Sequence, residues 1–116
     1  MSEYGAKIEW SKVEGDNFVD NKYSRAHTWS FDGSLEVPVS SSPHVVPTPY
    51  SVEAHVDPEE AFVAALSSCH MLWFLHLAAD RKYVINSYCD NAVGIMAKDP
   101  KDKLAVTEVT LRPKVI

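Results

Sequence analysis

The chain has 116 residues, 46% hydrophobic and 23% charged, with a formal net charge of −5. That length predicts a single domain, residues 1–116, burying roughly two thirds of its unfolded surface, and the composition excludes global disorder. An acidic total with no basic patch speaks against nucleic-acid binding. The opening MSEYGAKIEW has no apolar export segment, which predicts a cytoplasmic protein whose two cysteines are free thiols.

Residues 7 to 13 alternate weakly around Ile8 and Trp10 and predict a strand with one solvated face, closed by a turn over Glu14 to Asn17. A second strand, Arg25 to Phe31, would set Arg25, His27, Trp29 and Phe31 on one face. Asp32-Gly33 is a hairpin signal, and Leu35, Val37 and Val39 alternate on the return until Pro38 marks an edge or an ending. Residues 40 to 56, with Pro43, Pro47 and Pro49, have no period. Connections of that length are uncommon in compact domains and are often functional.

Asp57 to Lys82 predicts a long helix, and its start is well signalled. Asp57 suits the N-cap and Pro58 the first helical position, while Glu60 completes a capping box. Glu59 and Glu60 also favour the positive end of the helix dipole. From Ala61 to Ala79 the segment is apolar almost all round, broken by Ser67, Ser68, His70 and His76. Its length suits a membrane span, but those polar residues, with neither basic nor aromatic anchors at the ends, oppose one. A helix apolar on every side is otherwise buried on every side, and in so small a chain a partner subunit is the simplest source of cover. Two further strands are predicted, Val84 to Ala97 and Leu104 to Ile116, joined by a turn at Lys98 to Lys101. In the last, Ala105, Thr107, Val109 and Leu111 would face one way. The ending Pro113-Lys114-Val115-Ile116 has no cap or polar tail and reads as a cut rather than a finish.

Cys69, in the middle of the long helix, is either a space-filling core cysteine or a reactive thiol. Reactivity requires a thiolate, and an unperturbed thiol is only a few per cent ionised at neutral pH. The helix's own dipole acts mainly in its first turn, so a cation must come from elsewhere. Arg25 is the best-placed candidate, its plain alternative being a stacked or solvated surface arginine. Glu59 precedes Cys69 by ten positions, which on a straight helix is about 15 Å along the axis and about 80° round it. It cannot touch that thiol within one chain of unbroken helix, so at a shared site it must serve a partner's cysteine, or the helix must break between them. The carboxylate would then hold Arg25 through a charge-assisted pair. The five histidines show no HxxxH pair, so no metal site or cofactor is expected. Cys89 reads as a half-buried strand residue rather than a disulfide partner for Cys69.

DPEEAFVAALSSCH resembles the helix motif of the osmotically inducible protein C and organic hydroperoxide resistance (OsmC/Ohr) family, and YSRAHTWSFDG and SSSPHVVPTPYS resemble one OsmC-like subgroup. The resemblance implies an α+β fold, with an antiparallel sheet packed around a long central helix, assembled as an intertwined homodimer with sites at the interface. It implies a thiol peroxidase for small organic hydroperoxides, regenerated by a dithiol reductant. Cys69 matches the peroxidatic cysteine, Glu59 the site glutamate and Arg25 the site arginine. The family's C-terminal helix with its resolving cysteine would lie beyond Ile116, and Cys89 does not occupy the equivalent position. An apolar pocket of Trp29, Phe62, Met71 and Trp73 would favour organic over hydrogen peroxide. The rival readings are a non-catalytic OsmC-like module that holds a hydrophobic ligand at the dimer interface, and a cysteine hydrolase.

Overall fold

A computed structural model describes residues 1–116, as two compact units, Met1–Pro58 and Glu59–Ile116. In the first, strands β1 (Lys7–Glu9), β2 (His27–Ser30) and β3 (Glu36–Val39) form an antiparallel sheet in the order β1-β2-β3. Ile8 pairs with Trp29 and Trp29 with Val37, which puts three large apolar side chains on one rung. The β2–β3 turn is the expected hairpin at Asp32–Ser34. Gly33 there has φ 71°, a conformation glycine adopts without steric penalty.

Pro38 sits within β3, an edge strand of the sheet. Its carbonyl accepts the Val56 N–H at 3.2 Å on the outer side, where a missing ladder N–H costs the β2–β3 pairing nothing. The Ser40 N–H in turn donates to the Val56 carbonyl at 2.9 Å. The intervening loop closes on itself through serines: Ser40 Oγ accepts from Val52 N at 2.9 Å, and Ser51 Oγ donates to the Val46 carbonyl at 2.7 Å. Ser40, Ser42 and Ser51 are buried beside Val39, which is tolerable because their polar groups are paired. The aperiodic stretch is therefore an ordered loop built on side-chain-to-backbone bonds.

Both early strands are shorter than the alternation predicts. β1 stops before Trp10, whose indole N–H donates to the Ser24 carbonyl at 2.9 Å. β2 begins at His27, after Arg25. The aromatic row survives, with His27–Trp29 and Trp29–Phe31 ring centroids each 6.5 Å apart, while the Arg25 side chain turns elsewhere.

The second unit is organised on helix α1 (Pro58–Asp80). Its C-terminal end is a Schellman motif. The Tyr83 N–H reaches the Ala78 carbonyl at 2.9 Å, the Lys82 N–H reaches Ala79 at 3.0 Å, and Lys82 takes the left-handed φ of 65°. Four strands follow: β4 (Tyr88–Asp90), β5 (Val93–Lys98), β6 (Leu104–Thr110) and β7 (Pro113–Val115). They pair as two antiparallel ribbons, β4 with β7 and β5 with β6.

Here two predicted strands are four. Val84 to Ala97 divides at Asn91-Ala92, with Val84 to Ser87 outside any strand, and Leu104 to Ile116 divides at Leu111-Arg112. Both breaks meet at Asp90, whose Oδ1 accepts the Arg112 N–H at 2.6 Å, so a side chain takes the place of a ladder carbonyl. Pro113, with no N–H, begins the new pairing. The predicted face of Ala105, Thr107, Val109 and Leu111 also fails. Ile95 pairs with Glu108 but Met96 with Val106, so Thr107 is the extra residue of a β-bulge and side chains beyond it change sides.

Gly94 marks where α1 approaches β5. A Cβ there would lie 2.5 Å from Val63 Cγ2, and valine's χ1 is too stiff to swing away. Gly94→Ala is expected to destabilise the protein by roughly 1–3 kcal/mol through overpacking. Urea unfolding measures this, and Val63→Ala in the same chain should recover part of the loss. An unaltered midpoint in Gly94→Ala would contradict the close approach.

Candidate functional site

One stripe of α1 is tied to the strands. Val63 meets β5 at Gly94, the Ser67 hydroxyl donates to Asp90 Oδ2, His70 Nδ1 lies 3.0 Å from the Tyr88 hydroxyl, and the Phe74 and Tyr88 rings are 5.8 Å apart. Steps of four, three and four residues keep these side chains on one helix face. Desolvation, and then the negative charge of Asp90, raise the Tyr88 phenol above its ordinary value. The phenol therefore stays protonated at neutral pH and shares a hydrogen bond with His70 Nδ1. Ser67 and His70, which read in the sequence as interruptions of an apolar helix, are the polar links that register it against β4. Only the partners, on a strand more than fifteen residues away, explain them.

The opposite face is uncovered. No residue of α1 is buried, and Leu72 and Trp73 are 60% and 64% exposed. Cys69 lies about 160° round the axis from Ser67, within about 60° of Phe62, Leu66, Leu72 and Trp73. All four are exposed, as is the free Cys69 thiol. The thiol is thus at the centre of an apolar surface that Trp73 extends to His76 through an edge-to-face contact with centroids 6.0 Å apart. Of the expected pocket residues, Phe62 and Trp73 share the Cys69 face. Met71 does not: it is half-buried and about 160° from Cys69. Trp29 belongs to the first unit, in the aromatic row of β2.

Glu59 stands in the first turn of α1 with its Oε2 buried and without a hydrogen-bond partner. The helix runs without interruption from Pro58 to Asp80, so Glu59 and Cys69 of one chain are held about 15 Å apart along it. Arg25, in the first unit, lies with its guanidinium carbon 3.6 Å from the Tyr23 ring centroid. Its Nη1 donates to the carbonyls of Asn21 at 2.8 Å and Tyr23 at 2.6 Å.

Helix α1 also helps form an open cleft of about 330 Å³ near its C-terminal end, lined by Phe74, Leu77, Ala78, Arg81, Tyr83 and Ile85. It lies more than one helical turn beyond Cys69.

A long helix with a thiol at its middle, accompanied by antiparallel sheets, makes this an α+β protein. A solved structure of an OsmC-like protein of unknown function from Vibrio cholerae O1 biovar eltor is 60% identical to this chain. The match covers 100% of this chain and 75% of that one, with a TM-score of 0.97. The chain belongs to the OsmC-like family; its helix α1 is, by length and composition alone, long and apolar enough to cross a bilayer. No protein-family model and no curated protein matches it.

Tyr88 and Asp90 point from β4 to α1, so Cys89 between them points away, and Cys69 is on the far side of the helix. Both thiols are free, and their opposed directions disfavour a Cys69–Cys89 bridge in this unit. Treatment with diamide is expected to leave the intrachain pair reduced, read by intact mass under denaturing conditions. A loss of two hydrogens within a single chain, mapped to these cysteines, would contradict the arrangement.

Proposed function

We propose that the protein is a cysteine-dependent peroxidase acting on small organic hydroperoxides, working as a homodimer in the cytoplasm. The observation that carries this reading is the placement of the exposed Cys69 thiol at the centre of an uncovered apolar helix face. Covering that face with a second copy would bury Phe62, Leu66, Leu72 and Trp73, at on the order of 1 kcal/mol for each half-exposed side chain. It would also enclose the thiol in an apolar site that takes an alkyl hydroperoxide in preference to a small polar peroxide. The two units of the chain would act together as one OsmC-like domain.

In the proposed reaction the Cys69 thiolate attacks one peroxide oxygen and the O–O bond breaks. Sulfur is oxidised by two electrons to a sulfenic acid, and the departing alkoxide takes a proton to leave as the alcohol. A dithiol then returns the cysteine to the thiol, becoming a disulfide and releasing water. Arg25 stabilises the thiolate and orients the peroxide. Glu59, whose buried Oε2 lacks a partner, is suited to receive that guanidinium. Because α1 is unbroken, Glu59 of one subunit would serve Cys69 of the partner subunit.

Cys69→Ser is expected to abolish consumption of cumene hydroperoxide in the presence of a dithiol while the sedimentation coefficient stays that of a dimer. Unchanged turnover would exclude the thiol mechanism. Saturable binding of an apolar ligand by a wild-type protein that consumes no peroxide would instead favour a non-catalytic binding module. Arg25→Ala is expected to slow iodoacetamide alkylation of Cys69 at neutral pH by about tenfold. An identical rate would remove Arg25 from the site.

A further inference from the structure

Residues 16 to 25 form a small arch with its own aromatic stack. Tyr23 and Phe18 are stacked, with ring centroids 4.6 Å apart and planes inclined by 29°. Trp10 meets Tyr23 edge-on at 5.8 Å and 72°. The Arg25 guanidinium carbon lies 3.6 Å from the centroid of the same Tyr23 ring. Two flat groups at those separations cannot share one side of a ring, so Phe18 occupies one face of Tyr23 and Arg25 the other.

The backbone of the arch is pinned independently. Asp16 Oδ2 accepts the Ser24 N–H at 3.2 Å, Asp20 Oδ1 accepts the Lys22 N–H at 2.7 Å, and the Trp10 indole holds the Ser24 carbonyl. Asn21 takes a left-handed φ of 64°, a conformation that asparagine tolerates better than most residues. Both it and Tyr23 aim their carbonyls at Arg25 Nη1. The guanidinium is thereby fixed by a stacked face and by two bonds at one corner. Its Nε–Nη2 edge takes no part in these contacts.

We propose that Tyr23 is a positioning residue: it holds the Arg25 guanidinium in a fixed orientation, so that Arg25 can serve the Cys69 thiolate without first having to be ordered. This rests on the reading of Arg25 as the cation that serves Cys69. Arginine has a long side chain with many rotamers, and a fixed planar fork loses less freedom on engaging an anion than a mobile one does. Stacking on an aromatic face and chelation by backbone carbonyls supply that order before substrate arrives.

The test uses the full chain with Cys89→Ser, so that a single thiol reports. Two quantities are read: the order parameter of the Arg25 Nε–H by nitrogen-15 relaxation, and the rate of Cys69 alkylation at neutral pH. Tyr23→Phe keeps the ring and is expected to match the parent in both. Tyr23→Leu keeps apolar bulk against Phe18 but removes the π face. It should drop the order parameter below about 0.6 and slow alkylation as much as Arg25→Ala does, with no further slowing in the double variant. If Tyr23→Leu does not fold by circular dichroism, Tyr23→Met is read in its place. An unchanged order parameter overturns the proposal. So does a mobile Arg25 whose Cys69 alkylates at the parental rate while Arg25→Ala slows it. If Arg25→Ala itself leaves the rate unmoved, the role of Arg25 at the thiol is lost, and the positioning role of Tyr23 falls with it.

Discussion

Everything in the second unit depends on how α1 disposes of its apolar surface. A helix apolar all round has no preferred inner side, so its orientation is decided by a few directional contacts. Ser67 to Asp90 and His70 to Tyr88 choose the face that meets β4, and Gly94 lets Val63 come close to β5. Once that stripe is chosen, the remaining surface follows from helical geometry: Cys69 and four large apolar side chains are left on the other side. A part-buried polar pair thus acts less through its strength than by excluding alternative rotations of the helix, because a rotated helix would leave Asp90 without its Ser67 donor.

The same geometry separates the groups that a thiol peroxidase needs. Mid-helix, Cys69 gains little from the dipole of α1. Glu59 is kept about three turns away on the same rigid rod. A cation has to be supplied from outside the helix, and Arg25 is already ordered by Tyr23 and two carbonyls within its own unit. Such a division, with thiol and cation on separate units of the chain, would make a second copy part of the proposed chemistry as well as a cover for apolar surface.

Much of this is legible in the sequence where local chemistry decides it. Pro58, Glu59 and Glu60 announce the helix start, Asp32-Gly33 marks the hairpin, and Pro38 marks an edge strand. The spacing from Glu59 to Cys69 carries both the family resemblance and the geometric separation. What alternation misses is non-local. The breaks in the later strands are made by one carboxylate, Asp90, which serves Ser67 and Arg112 at once. The bulge at Thr107 reverses a face without any turn residue to signal it. Arg25 reads as part of an aromatic strand face, but stacking on Tyr23 two residues earlier draws it out of the strand. Met71 is expected among the apolar pocket residues, yet two residues along a helix from Cys69 is more than half a turn.

The central claim is that Cys69, and not Cys89, which is also exposed, is the peroxide-reactive thiol. The most direct measurement adds one equivalent of cumene hydroperoxide to the reduced native protein in the presence of dimedone and maps the adduct by peptide mass spectrometry. A sulfenic acid trapped at Cys69, with Cys89 unmodified, is the expected result. Equal labelling of both cysteines, or no adduct while the peroxide persists, would contradict it.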